Sequence, residues 1–168
     1  MRIRSACVSV AVALGMTVLG VGTADATGPL SGTKIRNWQT GLVLGVAANS
    51  TSGGAQVQYQ AETDHLAQKW ALDPVTNTTF MLRNLHSDMC VTAVAGGIAE
   101  SLQQRPCDPR WGEQIFSLED ASKPNRHLLK NQAHAKCINA YNGNANDISR
   151  VDTCTATSAY QTHSFDVR

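Results

Sequence analysis

The chain has 168 residues, of which 42% are hydrophobic and 16% charged, and its formal charge is +1. This is the size and composition of one lightly charged globular domain. It excludes a disordered chain, and it excludes a strongly basic nucleic-acid binder or a polyanionic tail.

The first element is an expected export signal. Met1-Arg2-Ile3-Arg4 is a short cationic start, Ala6 to Val21 is apolar, and Ala24-Asp25-Ala26 fits a small-x-small cleavage pattern. Residues 1–26 are therefore expected to be a signal peptide, and residues 27–168 the mature domain. The apolar run is short and rich in Gly and Thr near its end, which argues against a transmembrane anchor. Cys7 lies inside that run and away from the cleavage point, so it is not expected to carry a lipid.

Without residues 1–26 the chain has 142 residues, 12 basic and 12 acidic side chains, and four cysteines. An even cysteine count in an exported protein argues for two disulfides. Cys90 and Cys107 are 17 apart, as are Cys137 and Cys154. Equal spacings suggest one local loop used twice, and predict the pairs Cys90–Cys107 and Cys137–Cys154. Zinc ligation is the rival reading, but there is no short C-x-x-C knuckle.

The mature chain repeats three times. Arg36-Asn37, Arg83-Asn84 and Lys130-Asn131 are each a basic residue followed by Asn, spaced by 47 residues. The units run over about 33–78, 79–125 and 126–168. They begin RNWQTGLVLGV, RNLHSDMCVTA and KNQAHAKCINA, so Val43, Cys90 and Cys137 share a column. Each unit then has a loop rich in small or polar residues, and ends on an aromatic, one residue, and an aliphatic: Trp70-Ala71-Leu72, Phe116-Ser117-Leu118 and Phe165-Asp166-Val167. Apolar runs are short and punctuated by Gly, Asn, Pro and Ser, which predicts strands. About four short strands per unit allow a propeller blade or a threefold barrel, and three blades are too few to close a ring.

These units resemble the ricin B-type lectin family. Gln68-Lys69-Trp70 fits its Q-x-W signature and Gln114-Ile115-Phe116 is a conservative variant. The third unit has His163-Ser164-Phe165, with Gln161 displaced by two. The Cys pairs of units two and three also match, as do Gly41-Leu42, Val57-Gln58 and the export signal. The resemblance covers residues 33 to 168 and implies an all-β β-trefoil of three repeats with pseudo-threefold symmetry. Trp70, Phe116 and Phe165 are expected as core near the axis, and the Gln side chains as partners for backbone groups in turns. Unit one lacks a bridge, with Val43 in the first Cys column and Ala61 or Glu62 near the second.

The resemblance also implies non-catalytic carbohydrate binding at one shallow site per unit. In the family an acid two residues after the first Cys accepts two sugar hydroxyls, because a carboxylate offers two strong acceptors. An aromatic about two residues before the second Cys stacks on the sugar. An Asn and the Gln of Q-x-W complete the site. Here the acid column holds Gly45, Thr92 and Asn139, and the stacking column Tyr59 or Gln60, Arg105 and Asp152. Loss of one charged hydrogen bond costs about 1.5–3 kcal/mol, so the sites are expected to be weakened or altered. The candidate sugar-binding residues are Asn139, Tyr141, Asn142 and Asp152 in unit three and Tyr59, Asp64 and Gln68 in unit one. Arg105, Arg110 and Trp111 of unit two read as a surface patch able to contact an anionic sugar or a protein. His86 with Asp88 reads as an exposed turn, and Asn49-Ser50-Thr51 and Asn77-Thr78-Thr79 as exposed loops.

No nucleophile elbow, metal-protease, P-loop or dinucleotide motif occurs. A secreted, monomeric lectin with a glycan ligand is expected, with no cofactor, metal, nucleic-acid partner or membrane span. The alternative is a secreted protein-interaction trefoil, an inhibitor or toxin-assembly subunit, that has lost sugar binding.

Overall fold

The structure is a computed structural model and describes residues 32–95 and 100–166. The export signal expected at residues 1–26 and Val167 lie outside the described residues. Twelve strands follow in chain order: β1 Lys34–Asn37, β2 Val43–Val46, β3 Val57–Gln60, β4 Trp70–Pro74, β5 Thr79–Asn84, β6 Cys90–Val94, β7 Ser101–Arg105, β8 Ile115–Asp120, β9 His127–Asn131, β10 Cys137–Asn139, β11 Arg150–Asp152 and β12 His163–Asp166. Each repeat supplies four. Six strands build the barrel wall through the antiparallel pairs β1–β12, β4–β5, β5–β8, β8–β9 and β9–β12. Mutual backbone hydrogen bonds between Thr33 and Trp70 complete the ring. The remaining strands form three hairpins, β2–β3, β6–β7 and β10–β11. This is a β-trefoil.

Strand alternation sorts the side chains. In β3, Val57 and Tyr59 are buried while Gln58 and Gln60 are half-exposed; in β7, Leu102 and Gln104 are buried while Gln103 and Arg105 are half-exposed. The core is built from triads at the repeat period. Ile35, Leu82 and Leu129 are fully buried, as are Leu44, Val91 and Ile138. Each such side chain contributes about 1.5–3 kcal/mol by leaving water.

The basic-Asn dipeptides tie each repeat to the one before it. Asn37, Asn84 and Asn131 are all buried. Their Nδ2 groups donate to the carbonyls of Tyr160, Ala67 and Glu113, at 2.8, 2.9 and 2.9 Å. Their Oδ1 atoms accept backbone N–H groups of the following turn, from Thr40, Ser87 and His134 among others. These turns each place their fifth residue at positive φ: Gly41 at 70°, Asp88 at 58° and Ala135 at 53°. The basic partners reach an acid on the preceding repeat's last strand. Arg36 pairs with Asp166, Arg83 with Asp73 and Lys130 with Glu119.

The three Gln side chains of the signature are also equivalent. Gln68, Gln114 and Gln161 are buried and accept the N–H of Thr63, Asp108 and Thr155, each at 2.7 Å. They donate to the carbonyls of Ala61, Pro106 and Thr153. Gln161 is therefore in register, and the third aromatic column belongs to His163, two residues on. Trp70 and Phe116 are fully buried, and so is His163; Phe165, expected at that position, is only partly buried at the core's edge. A polar ring is tolerated there because Tyr59 from repeat one reaches its Nε2 with the phenol oxygen. Burial raises the Tyr59 phenol well above its ordinary range and pushes the His163 imidazole down to about 4, so both are neutral.

Both disulfides are formed, Cys90–Cys107 and Cys137–Cys154. Each closes a 17-residue separation, worth about 3 kcal/mol in the chain-entropy view.

Candidate functional site

The strand registers align the three rims residue by residue. Gly45 faces Gln58, Thr92 faces Gln103 and Asn139 faces Arg150. Val43 faces Gln60, Cys90 faces Arg105 and Cys137 faces Asp152. The second column of repeat one is thus Gln60 and not Tyr59, whose side chain points the other way along the same strand.

Repeat one is filled by its own side chains. Tyr59 is 1% exposed and Gln68 is buried, so neither presents a surface to a ligand as a sugar site would require. Gln60 lies over Gly45, where an added Cβ would meet Gln60 Oε1 at 2.6 Å and Gln68 Cγ at 2.9 Å. Gln68 Nε2 donates to Gln60 Oε1, and Gln60 Nε2 donates to the Val46 carbonyl. Asp64 is exposed and pairs with Lys69 at 2.8 Å.

In repeat three Tyr141, Asn142 and Asp152 are exposed and Asn139 is half-buried. Tyr141 is 45% exposed with the Arg150 guanidinium 3.8 Å over its ring centre. Asn139 Oδ1 accepts the Tyr141 N–H at 2.8 Å and Asp152 Oδ1 accepts the Thr153 N–H at 2.7 Å, so both are partly used in local turns. Asn142 is exposed beside Gly143.

Repeat two holds a cleft of about 420 Å³, lined by Thr92, Ala93, Val94, Ala95, Arg105, Trp111 and Glu113. Thr92 and Arg105 occupy the first and second columns, and Glu113 immediately precedes Gln114. Sequence reasoning placed Arg105 and Trp111 on a surface patch and did not foresee that Glu113 joins them around a concavity. The loop after the disulfide makes this possible. Asp108 Oδ1 accepts the Arg110 N–H, and its carboxylate takes two hydrogen bonds from the Arg110 guanidinium. That pair holds the Asp108 carboxyl down to about 2. Trp111 follows, its N–H donated to the Asp108 carbonyl, and its indole remains 45% exposed at the cleft wall.

An exposed indole, a carboxylate and a guanidinium around one cleft can offer an apolar platform, a hydroxyl acceptor and a donor fork. Among the described residues no helix is long and apolar enough to cross a membrane, and no group of three His, Cys, Asp or Glu is placed to hold a metal ion.

Solved structures share this architecture at low sequence identity. A designed threefold-symmetric protein, ThreeFoil, aligns with 79% of the chain and 96% of its own length, at 18% identity and a TM-score of 0.72. The C-terminal half of an earthworm R-type lectin, solved with GalNAc, aligns with 81% of the chain and 98% of its own, at 12% identity and 0.65. An exo-β-1,3-galactanase from Clostridium thermocellum aligns with 81% of the chain at 17% identity and 0.73; the matching region is 30% of that enzyme. No curated protein sequence matches the chain. Residues 21–104, half of the chain, match the family model of ricin-type β-trefoil lectin-like domains. The chain belongs to that ricin-type family, a membership that points to carbohydrate binding.

Proposed function

We propose that residues 27–168 are an exported, non-catalytic glycan-binding module whose working site is the repeat-two cleft. One observation carries the reading: an exposed Trp111 and Glu113 line the same concavity as Thr92 and Arg105, which hold the two rim columns where the family binds sugars. Trp111 supplies a face for sugar C–H groups, Glu113 accepts hydroxyls, and the side chains around Gly45 leave repeat one closed. Repeat three, with Asn139, Tyr141, Asn142 and Asp152, is a subsidiary surface. A glycan array probed with the oxidised protein and its Trp111→Ala variant tests this. Hits that vanish in the variant support the reading; silence from the folded protein overturns it.

A protein-binding role is favoured by a different surface. Trp38, Tyr141 and Tyr160 are exposed where repeat three meets repeat one, with Arg126 stacked on Trp38 and Arg150 on Tyr141. That surface is the one to mutate if the array is silent.

A further inference from the structure

We propose that the repeat-two cleft selects an acidic glycan, one carrying a carboxylate or a sulfate, with Arg105 as the group that receives the anion. This rests on the glycan-binding reading above and names its ligand class.

Five of the six described arginines are engaged. Among the described residues, Arg36, Arg83 and Arg110 are paired with carboxylates, and Arg126 and Arg150 lie over aromatic rings. Arg105 has neither kind of partner. Among the described residues its side chain makes one hydrogen bond, a long one to Gln103 Oε1 at 3.5 Å. A guanidinium is a planar fork of donors matched to carboxylate or sulfate oxygens, and in a cleft such a pair is stronger than in open water.

Its position is fixed. Arg105 pairs across the hairpin with Cys90 and is followed by Pro106 and the disulfide-bonded Cys107. Glu113 lines the same cleft, and among the described residues no ion pair joins it to Arg105. The two charges therefore address different groups of one ligand.

The neutral part of the cleft is poor in acceptors. Thr92 stands in the column of the family acid, and its hydroxyl is already used: it donates to the Cys90 carbonyl and accepts from Gln114 Nε2. Glu113 remains to accept sugar hydroxyls and Trp111 to face the ring. An acid at position 92 would offer Arg105 a competing anion nearby; threonine does not. A ligand with an anionic group, hydroxyls and an apolar face uses all three walls.

The test is calorimetric titration of the full oxidised protein with trigalacturonic acid, its carboxyl-reduced neutral counterpart, and a sulfated galacto-oligosaccharide with its desulfated form. An acidic ligand is expected to bind about tenfold or more tightly than its neutral counterpart. Arg105→Gln should remove the preference, bringing the acidic ligand's affinity down to that of its neutral counterpart in the same variant. Arg126→Gln, whose guanidinium lies over Trp38 and does not line the cleft, should retain the preference. Which acidic ligand wins identifies carboxylate or sulfate. Equal binding of acidic and neutral ligands, or a preference that survives Arg105→Gln, overturns the proposal while the glycan-binding reading stands. No binding by any ligand, extended to silence on the array, overturns both.

Discussion

Replacing His163 with Phe should change how the protein responds to mild acid. In the folded chain the imidazole is buried with its Nδ1 lacking a hydrogen-bond partner, and burial pushes its pKa down to about 4. The backbone of His127 and Gln161 opposes that shift only in part. In the unfolded chain the same group takes its proton near 6.5. Between these values the unfolded state binds the proton and the folded state does not. Stability is therefore full above about pH 6.5, falls as pH drops toward 4, and loses no more from this group below that. The gap of about 2.5 units corresponds to about 3 kcal/mol, a large share of a small domain's stability. Urea unfolding at half-unit steps from pH 7.5 to 3.5 reads the slope directly. In the Tyr59→Phe/His163→Phe double variant, which removes both polar partners together, the slope between 6.5 and 4 should flatten. The carboxylates act in a lower window: Glu62, held at about 2 by Lys34 and Arg36, loses its contribution only as pH falls through 4.5 toward 2. A wild-type slope that persists unchanged in the double variant between pH 6.5 and 4 would refute the assignment to His163.

Asn84→Ala should destabilise by about 2–4 kcal/mol, because it strands the Ala67 carbonyl and the N–H groups of His86 and Ser87; a Tm scan against exposed Asn142→Ala checks this. Gly45→Ala should cost about 1–3 kcal/mol by driving a methyl into Gln60 and Gln68, with glycan affinity at repeat two unchanged in calorimetry. Ala135→Gly should stabilise by about 0.5–1 kcal/mol in urea unfolding, since its φ of 53° is strained for alanine and Gly41 serves the same turn freely.

The repeat was legible because its strongest constraints are local and periodic. The basic-Asn dipeptides recur every 47 residues because each must cap the same turn and grip the same carbonyl. The cysteine spacing repeats because the same hairpin and loop are closed twice. Phe165 was a misreading of the third aromatic column. His163 lies 47 residues after Phe116 and two after Gln161, which was the available signal, but an imidazole in a hydrophobic column is explained only by Tyr59, 104 residues away. Tyr59 and Gln60 could not be separated by composition; strand alternation separates them, sending the tyrosine inward. The site was least legible. The family acid is missing from all three units and the candidate sugar-binding residues fell in units one and three, whereas the cleft of repeat two is made by Trp111 and Glu113, placed by a loop whose course depends on Asp108 and Arg110.

The seam between β1 and β12 has a consequence for how the molecule is made. Lys34 to Asn37 align with Asp166 to His163, whereas β1 meets β2 through the single pair Arg36 and Val43. Synthesis delivers β1 first and β12 more than a hundred residues later. Until Asp166 emerges, Ile35 has no wall to close against and β1 keeps an unpaired edge. Such sequence-distant pairing slows the final step of folding. The barrel wall thus stays open at this seam until the moment its two edges can meet.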